Sequence, residues 1–136
     1  MTAVFSVTTP SNTQYNIERA SAVAQKSLLM LIGSRLTIIN ANPKSPADAI
    51  ASNEMLVGAL MSLGESDFDK VASLVLPKIF KHGDQTPITI DSFQGDLMSY
   101  MYIVAESVRE NLSDFFTWLK HQKESEPTTP KNQSKQ

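Results

Sequence analysis

Residues 91–120, DSFQGDLMSYMYIVAESVRENLSDFFTWLK, decide the fold of this chain. Large apolar residues recur in this stretch every three or four positions, the spacing that lines one face of an α-helix. They are Phe93, Leu97, Met101, Val104, Val108, Leu112, Phe115 and Leu119. Polar residues such as Ser99 and Glu106 fall on the opposite side. The stretch predicts an amphipathic helix that is capped by Asp91 or Ser92 and packs inside a small domain.

Asn111 and Ser113 predict a break near the end of this helix. The side chains of both residues offer the backbone hydrogen bonds that compete with helical ones. We therefore expect a long helix followed by a short aromatic helix over residues 114–120.

The short aromatic segment contains Phe115, Phe116 and Trp118. Phe115 continues the apolar face, whereas Phe116 is rotated away from it by about 100° around the helix. Two interpretations stay open. Either all three rings pack in the core, or Phe116 or Trp118 forms an exposed aromatic patch for a partner helix, since aromatic residues are enriched in interfaces.

Methionine suits both irregular cores and adaptable binding surfaces, and here core filling is the preferred interpretation. The methionines concerned are Met30, Met55, Met61, Met98 and Met101. We therefore expect most of these side chains to be buried.

Composition narrows the class of protein. The chain has 136 residues, a net charge of −2 and no cysteine, so disulfides and thiol catalysis are excluded. The length is enough for one domain with a buried core. No dense basic patch is present, which argues against nucleic acid as a partner. No apolar run approaches the roughly 18 residues of a membrane span and no secretory signal is apparent, so we expect a soluble cytoplasmic protein.

The predicted fold is mainly α: a small irregular helical bundle with an N-terminal β-hairpin and a disordered C-terminal tail. In residues 1–18, two β-rich segments flank a turn at Pro10 and Asn12, which predicts the hairpin. Helices follow over residues 19–121 and should form one folded unit with the hairpin. Residues 122–136 contain no large apolar side chain and predict a flexible tail.

Two of the middle helices have recognisable boundaries. Ser45, followed by proline, predicts the start of one helix, and Gly64 predicts its end. Residues 66–82 follow the pattern of the next helix, which Pro77 interrupts. Because proline lacks the N–H that a helical hydrogen bond needs, we expect a kink or a split there.

No catalytic, cofactor-binding or metal-binding residues are predicted, and the protein is not expected to be an enzyme. His82 and His121 lie far apart in sequence at predicted helix ends, where the helix dipole already accounts for them. Glu65, Asp67 and Asp69 are interpreted as solvated acids at a helix start, because no third ligand motif accompanies them.

Two short motifs in residues 91–120 resemble the C-terminal part of the tail assembly chaperones of long-tailed bacteriophages. One motif is an acidic residue, x, Phe, x, Gly, and the other is Asn, apolar, x, Asp-Phe-Phe. The matching positions are Asp91, Phe93, Gly95, Asn111, Leu112, Asp114, Phe115 and Phe116. The strand, turn and strand at the start of the chain are similar as well, with Asn12 where the family is expected to have glycine.

The resemblance implies an assembly factor that works in the host cytoplasm and is absent from the mature virion. Such a chaperone binds the long apolar helices of the tape measure protein, keeps them soluble and assists tail tube assembly. The major tail tube protein and a second copy of the chain are further candidate partners. The candidate protein-binding residues are Phe93, Gly95, Asn111, Asp114, Phe115, Phe116 and Trp118. Two alternatives stay open: a small regulatory protein-binding module and a virion tail-completion protein.

Overall fold

The predicted N-terminal hairpin is present in the computed structural model, which describes residues 4–40 and 52–125. Strands β1 (Val4–Thr8) and β2 (Gln14–Glu18) pair antiparallel. The turn between them places Asn12 at a φ of 68°. This is the left-handed conformation, which Asn adopts more readily than most residues that have a Cβ.

Five α-helices occur in the described part of the chain. They are α1 (Ala22–Asn40), α2 (Asn53–Met61), α3 (Glu65–Val75), α4 (Leu97–Asn111) and α5 (Ser113–Ser125). The mainly helical fold is therefore confirmed. Because α2 ends at Met61, Gly64 does not close it as predicted but immediately precedes α3 with a φ of 87°. The predicted helix start at Ser45 and residues 126–136 of the predicted tail lie outside the described residues, and α5 includes residues 122–125.

A third strand, β3 (Ile79–Lys81), replaces the second half of the helix predicted over residues 66–82. α3 ends just before Pro77, and a 3₁₀ turn leads into the strand, so the predicted split is confirmed. β3 pairs antiparallel with β2, which gives the sheet order β1-β2-β3. His82 thus follows a strand and not a helix, because pairing with β2 supplies hydrogen bonds that a helix interrupted by proline loses.

α4 lies at the centre of the fold and is buried on almost every side. Its polar residues Ser99, Glu106 and Ser107 are buried like most of its apolar ones, although Leu97 and Met98 in the first turn are more than half exposed. The prediction of a polar side facing solvent is therefore wrong for Ser99 and Glu106. It fails because α2, α3, α5 and a 3₁₀ turn (Ile90–Phe93) all contact α4.

α4 begins at Leu97, so the predicted caps Asp91 and Ser92 do not cap it. Both residues belong instead to the preceding 3₁₀ turn. Gly95, with a φ of 81°, then redirects the chain into α4. The N-cap position is occupied by Asp96, whose side chain makes no capping hydrogen bond. The motif that opens residues 91–120 is therefore a turn ahead of the helix.

Replacing Gly95 with alanine tests whether this turn needs glycine. A Cβ at Gly95 would meet no atom within 4 Å, so only the φ of 81° opposes the substitution. We expect Gly95→Ala to lower the free energy of unfolding by about 1 kcal/mol, measured by urea denaturation.

Gly58→Ala is the matched control, because Gly58 has equally open surroundings but lies inside α2. Alanine favours a helix interior, so this substitution should raise the free energy of unfolding by about 0.5–1 kcal/mol. Equal effects of the two substitutions would contradict the proposed role of the turn.

Candidate functional site

The break between α4 and α5 is hydrogen-bonded to the connection between β2 and α1. Asn111 Oδ1 accepts hydrogen bonds from the Ala20 backbone N–H at 2.7 Å and from Gln25 Nε2 at 3.2 Å. Asn111 Nδ2 donates to the Ser107 carbonyl at 2.8 Å. The side chain is buried, and both ends of its amide are satisfied. Asn111 is therefore a structural residue and offers no surface to a partner.

Arg19 makes a second contact with the same break. Its Nε donates to the Glu110 carbonyl at 3.2 Å, and its Nη2 donates to Ser113 Oγ at 3.4 Å. The guanidinium carbon also lies 4.9 Å from the centre of the Phe5 ring on β1, a cation–π contact. We call Asn111 and Arg19, with these partners, the junction latch. The latch fixes the point from which α5 departs.

α5 carries a stacked aromatic pair, Phe115 and Trp118, which we call the aromatic ridge. The two rings stack with centroids 5.9 Å apart and an interplanar angle of 20°. Phe115 is half-buried, and its ring lies 3.9 Å from the position that a Cβ on Gly33 of α1 would occupy. Trp118 is 52% exposed. The ridge is thus an indole that faces solvent and rests on a ring anchored against α1.

Phe116 faces the core and is 7% exposed, so it is not part of the ridge. Its ring centroid lies 5.8 Å from that of Phe115, on the inner side of the ridge. The interpretation of an exposed aromatic patch therefore applies to Trp118 and is wrong for Phe116. Asp114 lies nearby in the first turn of α5 and is exposed.

Phe93 is also a core residue. Its ring centroid lies 5.8 Å from that of Tyr15 on β2 and 5.5 Å from that of Tyr100 on α4. Burial raises the pKa of both tyrosine hydroxyls above the ordinary value of 10.0, with a smaller contribution from a nearby carboxylate in each case. This aromatic cluster packs the sheet against α4. Phe93 and Gly95 lie at the N-terminal end of α4, and the ridge follows its C-terminal end. The predicted residues are therefore divided between the two ends of a helix of 15 residues and do not form one site.

A groove between α2 and α4 was missed by sequence reasoning, and we call it the methionine groove. It has a volume of about 550 Å³ and is lined by Pro10, Ser52, Asn53, Glu54, Val57, Met98 and Tyr102. Met98 is 60% exposed, and Met30 and Met61 are exposed as well, so the prediction of buried methionines is wrong for these three. The spacing of Met98 and Tyr102, four residues apart on α4, was the available signal.

Asn53 sets the width of this groove by joining α2 to α4. Its Nδ2 donates to the Tyr102 carbonyl at 3.0 Å and to Glu106 Oε2 at 2.8 Å. The buried Glu106 carboxylate also forms an ion pair with Arg109. These bonds explain why a carboxylate is stable on the covered side of α4.

Within residues 4–40 and 52–125, no cluster of His, Asp or Glu side chains is arranged to hold a metal ion. No helix among these residues is long and apolar enough to cross a bilayer. The features suited to contact a partner are the two apolar surfaces, the aromatic ridge and the methionine groove.

Comparison with known protein families shows which family this chain belongs to. A family model described as phage tail assembly chaperone protein, TAC, matches residues 11–125. The chain belongs to the phage tail assembly chaperone family. No curated protein and no solved structure matches it. The matched region contains Asn111 and Arg19 of the junction latch, the aromatic ridge and every residue of the methionine groove except Pro10. Membership of the family implies partners among the tail proteins.

The junction latch of this chaperone predicts a stability effect at Asn111. Asn111→Ala leaves the Ala20 N–H without its acceptor and should lower the free energy of unfolding by about 2 kcal/mol. Urea denaturation with an unchanged m-value measures this difference. Gln25→Ala, which removes one longer bond from the same acceptor, is the control and should cost less than about 1 kcal/mol. An equal or larger loss in the control would contradict the role assigned to Asn111.

The different burial of Phe116 and Trp118 predicts losses of stability of different size. Phe116→Ala opens a cavity in the core and should lower the free energy of unfolding by about 3–4 kcal/mol. Trp118→Ala removes a ring that is half exposed and should cost less than about 1 kcal/mol. Thermal and urea unfolding of the two variants give the comparison, and a loss at Trp118 as large as that at Phe116 would show that the ridge is part of the core.

Proposed function

We propose that this chaperone binds the apolar helices of the tape measure protein, keeps them soluble and assists assembly of the tail tube. Family membership supports a role in tail assembly. It also favours this role over a regulatory module or a tail-completion protein. The observation that carries the proposal is the exposure of Trp118 on the aromatic ridge.

The ridge has the chemistry that an amphipathic helix needs in a binding partner. Such a helix lays its apolar face on an apolar surface, through side chains spaced three or four residues apart. Trp118 offers a large flat surface, and its stacking on Phe115 holds the indole in place before a client arrives. Little side-chain freedom is then lost on binding, which favours affinity.

Release of the client follows from mass action. The chaperone covers apolar surface that the client would otherwise bury in an aggregate, so only the free concentrations and affinities set the bound fraction. Tail tube subunits that bind the same client helices displace the chaperone. The major tail tube protein is therefore its competitor and a second partner in assembly. No chemical step by the chaperone is required.

Binding of a client helix should depend on Trp118. A fragment of the tape measure protein from the same genome, co-expressed with the chaperone, should stay soluble and co-elute with it. In Trp118→Ala, the dissociation constant should rise about 30-fold, the effect of losing roughly 2 kcal/mol at an interface hot spot. Isothermal titration calorimetry measures this change. Trp118 is the only tryptophan of the chain, so its emission should shift to shorter wavelength when the wild-type protein binds the client.

Met98→Ala is the matched control, because Met98 is also an exposed apolar residue but lies in the methionine groove. It should leave the dissociation constant within about twofold of wild type. If Met98→Ala weakens binding and Trp118→Ala does not, the groove and not the ridge binds the client. A fragment that is equally soluble with and without the wild-type chaperone contradicts the proposed function itself.

A further inference from the structure

The two edges of the three-stranded sheet differ in how they are covered. At the β3 edge, the Ile88 N–H donates to the Ile79 carbonyl at 2.9 Å, and Phe80 forms an isolated bridge with Pro87. β1 forms the other edge, and no segment within residues 4–40 and 52–125 pairs with its outer side. An edge strand of this kind offers backbone donors and acceptors to another strand.

The hairpin hydrogen bonds establish which residues of β1 face β2. The Thr9 N–H donates to the Thr13 carbonyl at 2.9 Å, so these two residues form a hydrogen-bonded pair. Hydrogen-bonded pairs alternate with non-hydrogen-bonded pairs along an antiparallel ladder. Val7 and Phe5 are therefore the next residues whose backbone groups point toward β2.

Val4, Ser6 and Thr8 consequently direct their backbone N–H and C=O groups away from β2. An independent contact supports this assignment. The carbonyl of Gln14, which lies opposite Thr8, accepts a hydrogen bond from the His82 N–H on the β3 side. Gln14 is thus turned away from β1, as expected for a non-hydrogen-bonded pair.

We propose that β1 pairs antiparallel with β1 of a second copy of the chain, which joins the two sheets in a symmetric dimer. With the twofold axis at Ser6, Ser6 faces its own equivalent, and Val4 of each copy faces Thr8 of the other. All of these residues point their backbone groups outward, so this register forms a hydrogen-bonded pair at every alternate position. The interface is self-complementary, as twofold symmetry requires.

The side chains of β1 fit the same register. Phe5 and Val7 are half-buried against the core. In the dimer, Phe5 of each copy would lie directly opposite Val7 of the other. Directly opposite side chains of a non-hydrogen-bonded pair approach closely, so the two apolar pairs extend the packed face of the sheet. On the outer face, Val4, which is 54% exposed, gains cover from Thr8.

The sequence of β1 favours a second copy as the occupant of this edge. The strand reads VFSVT. Charged residues and proline commonly prevent edge strands from pairing, and β1 contains neither. A charged edge strand would meet its own charge across a twofold axis, whereas a neutral strand meets no such repulsion. This argument does not depend on the binding of any client.

Ser6→Pro tests the pairing directly. Proline removes the outward N–H at the centre of the register, and this N–H has no role in the β1–β2 ladder. Analytical ultracentrifugation of the full chain over a range of concentrations should show a dimer for wild type. The dissociation constant of Ser6→Pro should be at least tenfold higher, the effect of losing about 1.4 kcal/mol of hydrogen bonding. Ser6→Thr keeps the N–H, the hydroxyl and a strand-forming residue, and should behave as wild type.

Amide hydrogen exchange of the wild-type protein keeps the test decisive if Ser6→Pro fails to fold. The amides of Val4, Ser6 and Thr8 should become protected as the protein concentration rises, while those of Phe5 and Val7 stay protected throughout. A wild-type monomer at about 100 μM, a dimer that persists in folded Ser6→Pro, or concentration-independent exchange of the three outward amides would each overturn the proposal.

Discussion

The hydrogen bonds that hold the junction between α4 and α5 are the constraint on which the arrangement of this protein depends. A helix end leaves backbone carbonyls without partners, and a helix buried on nearly all sides cannot expose them to water. Here Arg19 donates to the Glu110 carbonyl, while Asn111 binds the backbone of the β2–α1 connection. One short connection therefore fixes the hairpin, the central helix and the direction of α5 together. The position of the aromatic ridge follows from that direction.

Most residues of the motifs that resemble the family have structural roles in this chain. Asn111 holds the junction, Gly95 makes a turn, and Phe93 and Phe116 lie in the core. Trp118, the exposed residue of the ridge, lies outside both motifs. In this chain the motifs therefore specify the scaffold, whereas the exposed apolar surface of the ridge comes from a neighbouring position.

Local signals in the sequence predicted the hairpin and the break near Asn111, because a turn residue and competing side-chain hydrogen bonds act over a few residues. Features that depend on distant partners were missed. β3 is three residues long and is a strand because β2 lies beside it. Glu106 is buried because Asn53, 53 residues away in the sequence, donates to its carboxylate. The methionine groove was missed for the same reason, since two helices must pack before it exists.

Under the proposed function, the area of the aromatic ridge limits how tightly one chaperone can hold one client helix. Covering the exposed half of a tryptophan removes about 100 Å² of apolar surface from water and contributes roughly 2–3 kcal/mol. Association also costs translational and rotational freedom, so a single ridge favours weak and rapidly reversible binding. Weak binding suits the proposed client, which tube subunits would take over in turn. The proposed dimer joined through β1 would present two ridges to the proposed client, and the second contact would then be intramolecular. Under this proposal, the number of contacts retains the client, while each single contact stays easy to displace.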